Sequence, residues 1–559
     1  MAVNKKQVVA QLKEAGRLLE VLGEDANRAK AFQSAARQLD AYDGDLERLF
    51  AENRLTDIRG IGATLAAELA ALHQQGELPA LAELKARVPE GVRSLFAVSG
   101  LGAKKIAVLW QQGITDLREL LAAAQDGRLA ALKGFGKKSA ENIAAGAAFA
   151  LEAAGRYRLD EAEAAAIALT TTLPGVRLEV AGALRRCRET IDELEFLTDL
   201  DPLELAGLLP PEVADVRIEA AALTGTLAGR PLRFTIAHEQ DWGAALAFAT
   251  GSEAFVAHLR ERAAERGYDL DAAGLHRKGQ PVPVADEKAL FTLLDLPYVT
   301  PERREPETGT PQEGLLTLAD LRGLVHNHSD WSDGAVSLRE MAAAAHELGF
   351  AYLATADHSK SSYVAGGLSA ERVRAQAREV QTIRAELAAA GSTLELLHGM
   401  EVDILPNGEL DLPDEVLAEL DYCVVSVHQS FGLSEAEQTA RIVRAVRNPH
   451  AKILGHATGR LLLRRPPYAV DLQAVLDACA ESGTIIEINA NPRRLDLDWR
   501  WVIRARELGC RFSIDPDAHH PSGYDDLRYG VMMARKAGLR PEDVINTAPD
   551  AHSFLAQLK

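Results

Sequence analysis

His326 and His328 alternate with Val325 and Asn327, so a strand of period two would project both imidazoles from one face. Asp333 follows in a Ser-Asp-Gly turn. A helix is predicted over 337–348 and a strand over 352–356, which ends at Asp357-His358. Further along, Glu401, His428, His456, Asp517 and His519 each fall at the end of a predicted strand. A lone histidine reads equally well as a hydrogen-bonded core or surface residue. A recurrence of nine imidazoles and carboxylates at strand ends reads as a metal centre. Nine donors exceed the needs of one tetrahedral ion and suit two or three ions bridged by carboxylates. Mixed imidazole and carboxylate ligation suits Zn, Mn or Fe. Such clusters polarise a phosphoryl oxygen and generate a hydroxide at neutral pH, so the expected chemistry is phosphoester hydrolysis.

The elements that must position these groups follow from hydropathy. From Leu321 onward, apolar β-like runs at 352–356, 395–398, 422–427, 453–454, 484–488 and 511–514 alternate with helical segments. Alternation of this kind predicts βαβ units and a parallel sheet or barrel, with functional groups at the C-terminal ends of the strands.

The first 150 residues read as all-helical, beginning with Val8, Leu12, Leu18, Leu19 and Leu22 on one helix face and Gly23 as a stop. Three segments there share one pattern, apolar-x-Gly-apolar-Gly: Ile58 to Gly62, Val98 to Gly102 and Leu132 to Gly136. In each pair, Gly60/Gly62, Gly100/Gly102 and Gly134/Gly136, the missing side chains let backbone approach a phosphate. The helix that follows aims its N–H groups at the anion. Lys104, Lys105, Lys137 and Lys138 add charge. The net charge of −19 provides no global field for nucleic acid, so any such binding must come from local sites. The repeated pattern resembles the helix-hairpin-helix motif, and that resemblance implies sequence-independent binding of DNA backbone.

Residues 150–240 change to strands, with one at 176–180, one carrying Ile191-Asp-Glu-Leu-Glu-Phe-Leu197, and a hairpin at 223–227 and 232–237 turning at Gly229. Residues 240–305 read as helical over 244–250 and 254–266 and irregular beyond. Four scattered cysteines with no CxxC spacing predict a reducing compartment. With no signal-like N-terminus and no apolar run long enough for a bilayer, the expectation is a cytoplasmic protein without a membrane partner.

The segments His326-Asn-His328, Asp357-His358-Ser, Gly399-Met-Glu401-Val-Asp-Ile-Leu-Pro, Ser426-Val-His428, Gly455-His456-Ala-Thr-Gly-Arg and Asp517-Ala-His519 resemble the motifs of the polymerase and histidinol phosphatase (PHP) family. The resemblance implies a distorted (βα)7 barrel with a trinuclear centre and fills every ligand position. It departs at Ala457, where proline is usual, and at Val325, where the first motif often has Leu after an Asp. The order of glycine turns, palm-like strands and PHP motifs is similar to the bacterial family X DNA polymerases. So are Leu18-Leu-Glu-Val-Leu-Gly, Arg28-Ala-Lys-Ala-Phe, Arg185-Arg-x-Arg-Glu-Thr, Thr250-Gly-Ser252 and Leu296-Pro-Tyr-Val-Thr-Pro-Glu-Arg-Arg-Glu305. The resemblance implies a multidomain fold: a helical helix-hairpin-helix part, an α+β nucleotidyltransferase palm and a C-terminal α/β PHP barrel. The expected boundaries are 1–87 for a gap-end-binding domain, 88–152 for fingers with further helix-hairpin-helix motifs, 153–240 for the palm, 241–304 for the thumb, 305–319 for a linker and 320–559 for the PHP domain.

Nucleotidyl transfer in that family needs three carboxylates holding two Mg2+ or Mn2+ ions. The resemblance puts Glu193 and Glu195 at the first two positions and Arg233 at the third. Each Glu is one methylene longer than the usual Asp, a displacement of about 1 Å that can cost roughly a hundredfold in rate. Arg233 binds no metal but can pair with Glu193 or Glu195. The triphosphate cradle falls on Gly182-Ala183 with Arg185 beside it, and the lyase lysine position holds Glu68. The implied function is a monomeric DNA-repair polymerase on gapped or 3′-ended DNA and dNTPs, weak or Mn2+-dependent, with a PHP 3′→5′ exonuclease or phosphoesterase. Two alternatives are a DNA-bound metal nuclease with a silent palm and a small-molecule phosphatase of the histidinol-phosphate kind.

Overall fold

A computed structural model describes residues 5–40, 42, 44, 46–219, 221–308 and 313–558. The chain forms two compact units, Met1–Ala154 and Gly155–Lys559.

The first unit is helical around one core in which Val8, Leu12, Leu18 and Leu19 are buried. The opening helix Lys5–Leu22 stops where Gly23 takes φ +68°, a conformation that ends helices without a Cβ penalty. The three glycine turns share one geometry. Gly60, Gly100 and Gly134 take φ +87°, +82° and +92°. Gly62, Gly102 and Gly136 are extended N-caps of the helices Ala63–Gln75, Ala103–Gln111 and Lys137–Ala153. The flanking Ile61, Leu101 and Phe135 are buried and anchor each turn.

In the second unit, five strands form a mixed sheet ordered Leu178–Val180, Leu194–Thr198, Arg230–Ile236, Ala222–Leu227, Val213–Glu219. The hairpin turns through Ala228 and Gly229, both at positive φ, as a tight two-residue turn between twisted strands requires. The outermost strand, Val213–Glu219, escaped the sequence reading because only its first residue is buried and no apolar alternation marks it. The region read as irregular beyond residue 266 instead holds a three-stranded antiparallel sheet, Asp269–Asp271, Gly274–Arg277 and Gln280–Val282, and the helix Glu287–Leu293. Strands of three or four residues are too short for alternation to be legible.

The start of the expected linker is no solvated tether. Glu305 and Thr308 are buried, as are Arg303 and Arg304 before them, because each finds hydrogen-bond partners in the fold. Residues 309–312 lie outside the described residues.

The C-terminal strands are all parallel, in sheets of three (Gly323–Leu324, Tyr352–Ala354, Glu395–Leu397) and five (Gly399–Asp403, Tyr422–Ser426, Ala451–Leu454, Ile485–Asn489, Phe512–Asp515). Isolated parallel bridges beyond the strand ends join Asn327 to Ala518 and His358 to Glu401, and so link the two sheets. Their strands are buried end to end, as parallel strands covered on both faces must be.

Candidate metal centre

Seven of the predicted ligands follow a strand C-terminus by two to four residues, Glu401 lies within the strand Gly399–Asp403, Asp333 lies in the loop after Gly323–Leu324, and the nine side chains converge. Glu401 is central. Its carboxylate lies 2.9 Å from His358 Nδ1 and His456 Nε2, 3.3 Å from His428 Nε2, 3.5 Å from His326 Nε2 and 3.7 Å from His328 Nε2. Asp517 Oδ1 is 3.2 Å from His328 Nε2, and Asp333 Oδ1 is 3.4 Å from His519 Nε2 and 3.6 Å from His358 Nε2. The side chains form three overlapping donor groups: His328, Asp333, His358 and His519; His326, His328 and Glu401; His358, Glu401 and His428. Asp333, His358, Glu401, His428, His456, Asp517 and His519 line a cavity of about 480 Å3, with His326 and His328 buried behind it.

The donor set fits divalent cations. His326 Nε2, both ring nitrogens of His328, His358 Nδ1 and His456 Nδ1 are buried without a hydrogen-bond partner. A buried imidazole nitrogen left so is costly unless something else takes its lone pair. The charge pattern is equally unbalanced without cations. Burial opposes protonation of His428, but Glu401 and Asp403 hold its pKa up at about 10. His519 is likewise held at about 9, against burial, by Asp333 and Asp517. Burial together with the neighbouring His519 and His358 pushes His328 down to about 3. Burial pushes Glu401 and Asp517 up, yet the ring of imidazoles draws both carboxyls well below the usual range. His456 and Asp517 sit at φ +24° and +51°, strained backbone of the kind that persists where a site over-determines it.

Sequence reasoning missed the groups that orient these ligands. His326 Nδ1 lies 2.5 Å from Glu487 Oε1, and His428 Nδ1 pairs with Asp403. Asn489 Nδ2 donates to Asp517 Oδ2 at 3.1 Å, and Arg494 Nε stands 3.4 Å from the same carboxylate on the cavity wall. Asp357, next to a ligand, accepts instead from Ser329, Ser332 and Gln376. A signal existed for Glu487, a carboxylate within the otherwise largely apolar predicted strand 484–488, where an unpaired charge is not tolerated, whereas Asp403 lay outside every predicted strand.

Comparison with known proteins assigns the segments. Residues 3–78 match the helix-hairpin-helix domain, 92–148 the SAM-like helix-hairpin-helix tandem, 245–305 the DNA polymerase beta thumb and 325–491 the PHP domain. The chain is 32% identical, over 99% of both sequences, to the DNA polymerase/3′-5′ exonuclease PolX of Bacillus subtilis (strain 168). The chain belongs to the family X DNA polymerases that carry a PHP domain. Shorter matches, 31% and 30% identical, reach probable phosphatases of Thermoanaerobacter sp. (strain X514) and Caldanaerobacter subterraneus. Each covers 28% of this chain and under two thirds of the phosphatase, 64% and 63%.

In the mixed sheet, the residues singled out as nucleotidyl-transfer positions contact one another. Glu195 and Arg233 face each other across paired strands, and Arg233 Nε lies 3.5 Å from Glu193 Oε2. Asp192 points away and pairs with Arg156 at 2.6 Å. The cradle expected at Gly182 is filled, since a Cβ there would meet Glu195 Oε1 at 1.8 Å. Burial, with Glu193 close by, raises the Glu195 pKa. Arg185 is not free to meet a triphosphate in this conformation. Its guanidinium donates to both Glu287 oxygens at 2.9 and 2.8 Å and to Thr250 Oγ1 at 2.7 Å. Glu68 accepts from the Ala80 N–H at 3.0 Å at the start of the helix Pro79–Arg87, a capping role rather than a lyase one.

Proposed function

We propose that this chain is a DNA-repair enzyme that grips DNA backbone through its glycine turns and removes nucleotides from 3′ ends at the PHP centre. Its own gap filling would be weak and favoured by Mn2+. The observation that carries this reading is the convergence of nine ligand-type side chains with unpartnered buried imidazole nitrogens. The residues that would hold two or three ions, Mn2+, Zn2+ or Fe2+, are His326, His328, Asp333, His358, Glu401, His428, His456, Asp517 and His519. Divalent ions there supply Lewis-acid polarisation of a phosphoryl oxygen and a water of lowered pKa. Asp403 and Glu487 would fix the tautomers of His428 and His326 by accepting hydrogen bonds from their Nδ1–H groups. Arg494 offers the cavity a cation for a phosphate oxygen.

DNA enters through Gly60, Gly62, Gly100, Gly102, Gly134 and Gly136. A Cβ at any of the last five would meet nothing within 4 Å, so the backbone there is open to a phosphate. A small-molecule phosphatase has no use for such turns. In a cytoplasmic monomer, gapped DNA and dNTPs are the partners this reading requires.

A second reading, a DNA-bound nuclease with a silent palm, is favoured by one observation. Glu195 packs against Gly182 and is paired in register with Arg233, the residue that the family resemblance implies at the third carboxylate position. The test is a labelled one-nucleotide gap with a single dNTP and Mn2+ or Mg2+. Extension under Mn2+ supports the first reading, and shortening alone supports the second. Neither reading survives if His328→Ala leaves shortening intact.

A further inference from the structure

Residues 359–368, directly after the ligand His358, form a loop closed on itself. Ser359 and Leu368 pair as a bridge, and the Leu368 N–H donates to the His358 carbonyl at 2.7 Å. A Cβ at Gly367 would lie 1.9 Å from the Ser359 carbonyl oxygen, so the two arms touch backbone to backbone. The loop is braced on both sides. Ser362 Oγ donates to Asp403 at 2.9 Å, and Arg372 donates to the Gly366 carbonyl at 2.6 Å. Its tip is the turn Tyr363–Ala365, and there the apolar side chains are left bare. Tyr363 is 82% exposed and Val364 88%, the highest values of any large hydrophobic side chain among the described residues. Both stand on the wall of the metal cavity.

A floppy surface loop would carry exposed apolar groups without meaning. A braced loop that holds a bare aromatic ring at the mouth of a phosphoester site presents a surface to whatever adjoins the phosphate. On a DNA 3′ end that neighbour is a base, and every base has a π-face. Resting on the phosphoesterase reading above, we propose that Tyr363, flanked by Val364, is the specificity-determining platform on which the terminal base of an unpaired 3′ end stacks. A paired terminal base must first leave its own stack, so the platform selects frayed or single-stranded ends.

The test uses the full chain with Mn2+ and three substrates: a single strand ending in thymidine, the same strand with its terminal nucleotide abasic, and a blunt duplex. For the wild type, the thymidine-tipped strand has the lowest KM. In Tyr363→Ser/Val364→Ser its KM rises roughly tenfold, the loss of one base–aromatic stack, and the abasic strand is unaffected. Tyr363→Phe keeps the wild-type pattern. An unchanged KM on the thymidine-tipped strand, or an equal loss on both strands, would overturn the platform. If the wild type shortens no strand, it is the phosphoesterase reading that fails.

Discussion

Glu401 meets five imidazoles within 3.7 Å, and two of the three donor groups share it. Glu401→Gln keeps the shape and removes the charge. It should leave the fold intact, lower the metal content of the purified protein and abolish DNA shortening, all read by elemental analysis and a gel assay. Glu487 acts through His326 rather than on a substrate. Glu487→Gln should weaken metal affinity by about 10- to 100-fold, measured by competition with a chelator, as loss of a group that orients a ligand does. In the palm, Arg233→Asp puts a carboxylate at the position proposed for the third metal ligand and removes the cation that lies 3.5 Å from Glu193. Mg2+-dependent extension of a gapped primer should rise, and unchanged extension would count against Arg233 as the suppressor.

At the scale of elements, the short helix Gly182–Arg185 is fastened to the helix Glu287–Leu293 by a buried ion cluster. Burial raises the Glu287 pKa, but hydrogen bonds and charge from Arg185 and Arg304 outweigh it and hold the carboxyl at about 2. The folded value lies below the ordinary one, so the stabilisation is fully present above about pH 4.5 and is lost as pH falls toward 2. Glu287→Gln leaves two guanidiniums uncompensated and should destabilise the second unit by about 3 kcal/mol at neutral pH. Denaturant melts at pH 7 and pH 3 should show the difference between variant and wild type shrinking in acid. The glycine turns are elements of another kind. Gly134→Ala places a Cβ at φ +92° and should cost about 1 kcal/mol locally. DNA affinity should fall in a salt-titrated binding assay with the hydrolysis of a small phosphodiester unchanged.

Over the whole second unit, the mixed sheet and the parallel sheets share one hydrophobic core that runs from Tyr157 to Val544. Polar ties reinforce it. Lys536 Nζ, fully buried, donates to the Arg186 carbonyl at 2.8 Å and lies 3.3 Å from Glu305 Oε1, while Glu189 lies 3.6 Å from Arg500. Lys536→Met leaves Glu305 with one cation fewer. It should lower the melting midpoint of this unit by several degrees, read by calorimetry, with palm and PHP segments still unfolding in one transition.

The residues that converge at the candidate metal centre, the glycine turns and the order of the segments were legible in the sequence because each is local. A Gly-x-Gly turn is set by its own φ angles, and a parallel strand announces its C-terminal end by where an apolar run stops. The resemblance that named the family rests on the same local signals. What the sequence left open was decided by groups distant along the chain. Glu487 meets His326 across 161 positions, and Arg185 meets Glu287 across 102. The family resemblance presented Arg185 as a nucleotide ligand, and the fold pairs that cation with the buried Glu287 carboxylate. Periodicity reports which face of an element is apolar. Which charges neutralise one another is fixed only when sheets and helices bring them within a few ångströms, since a buried charge is tolerable only beside its partner.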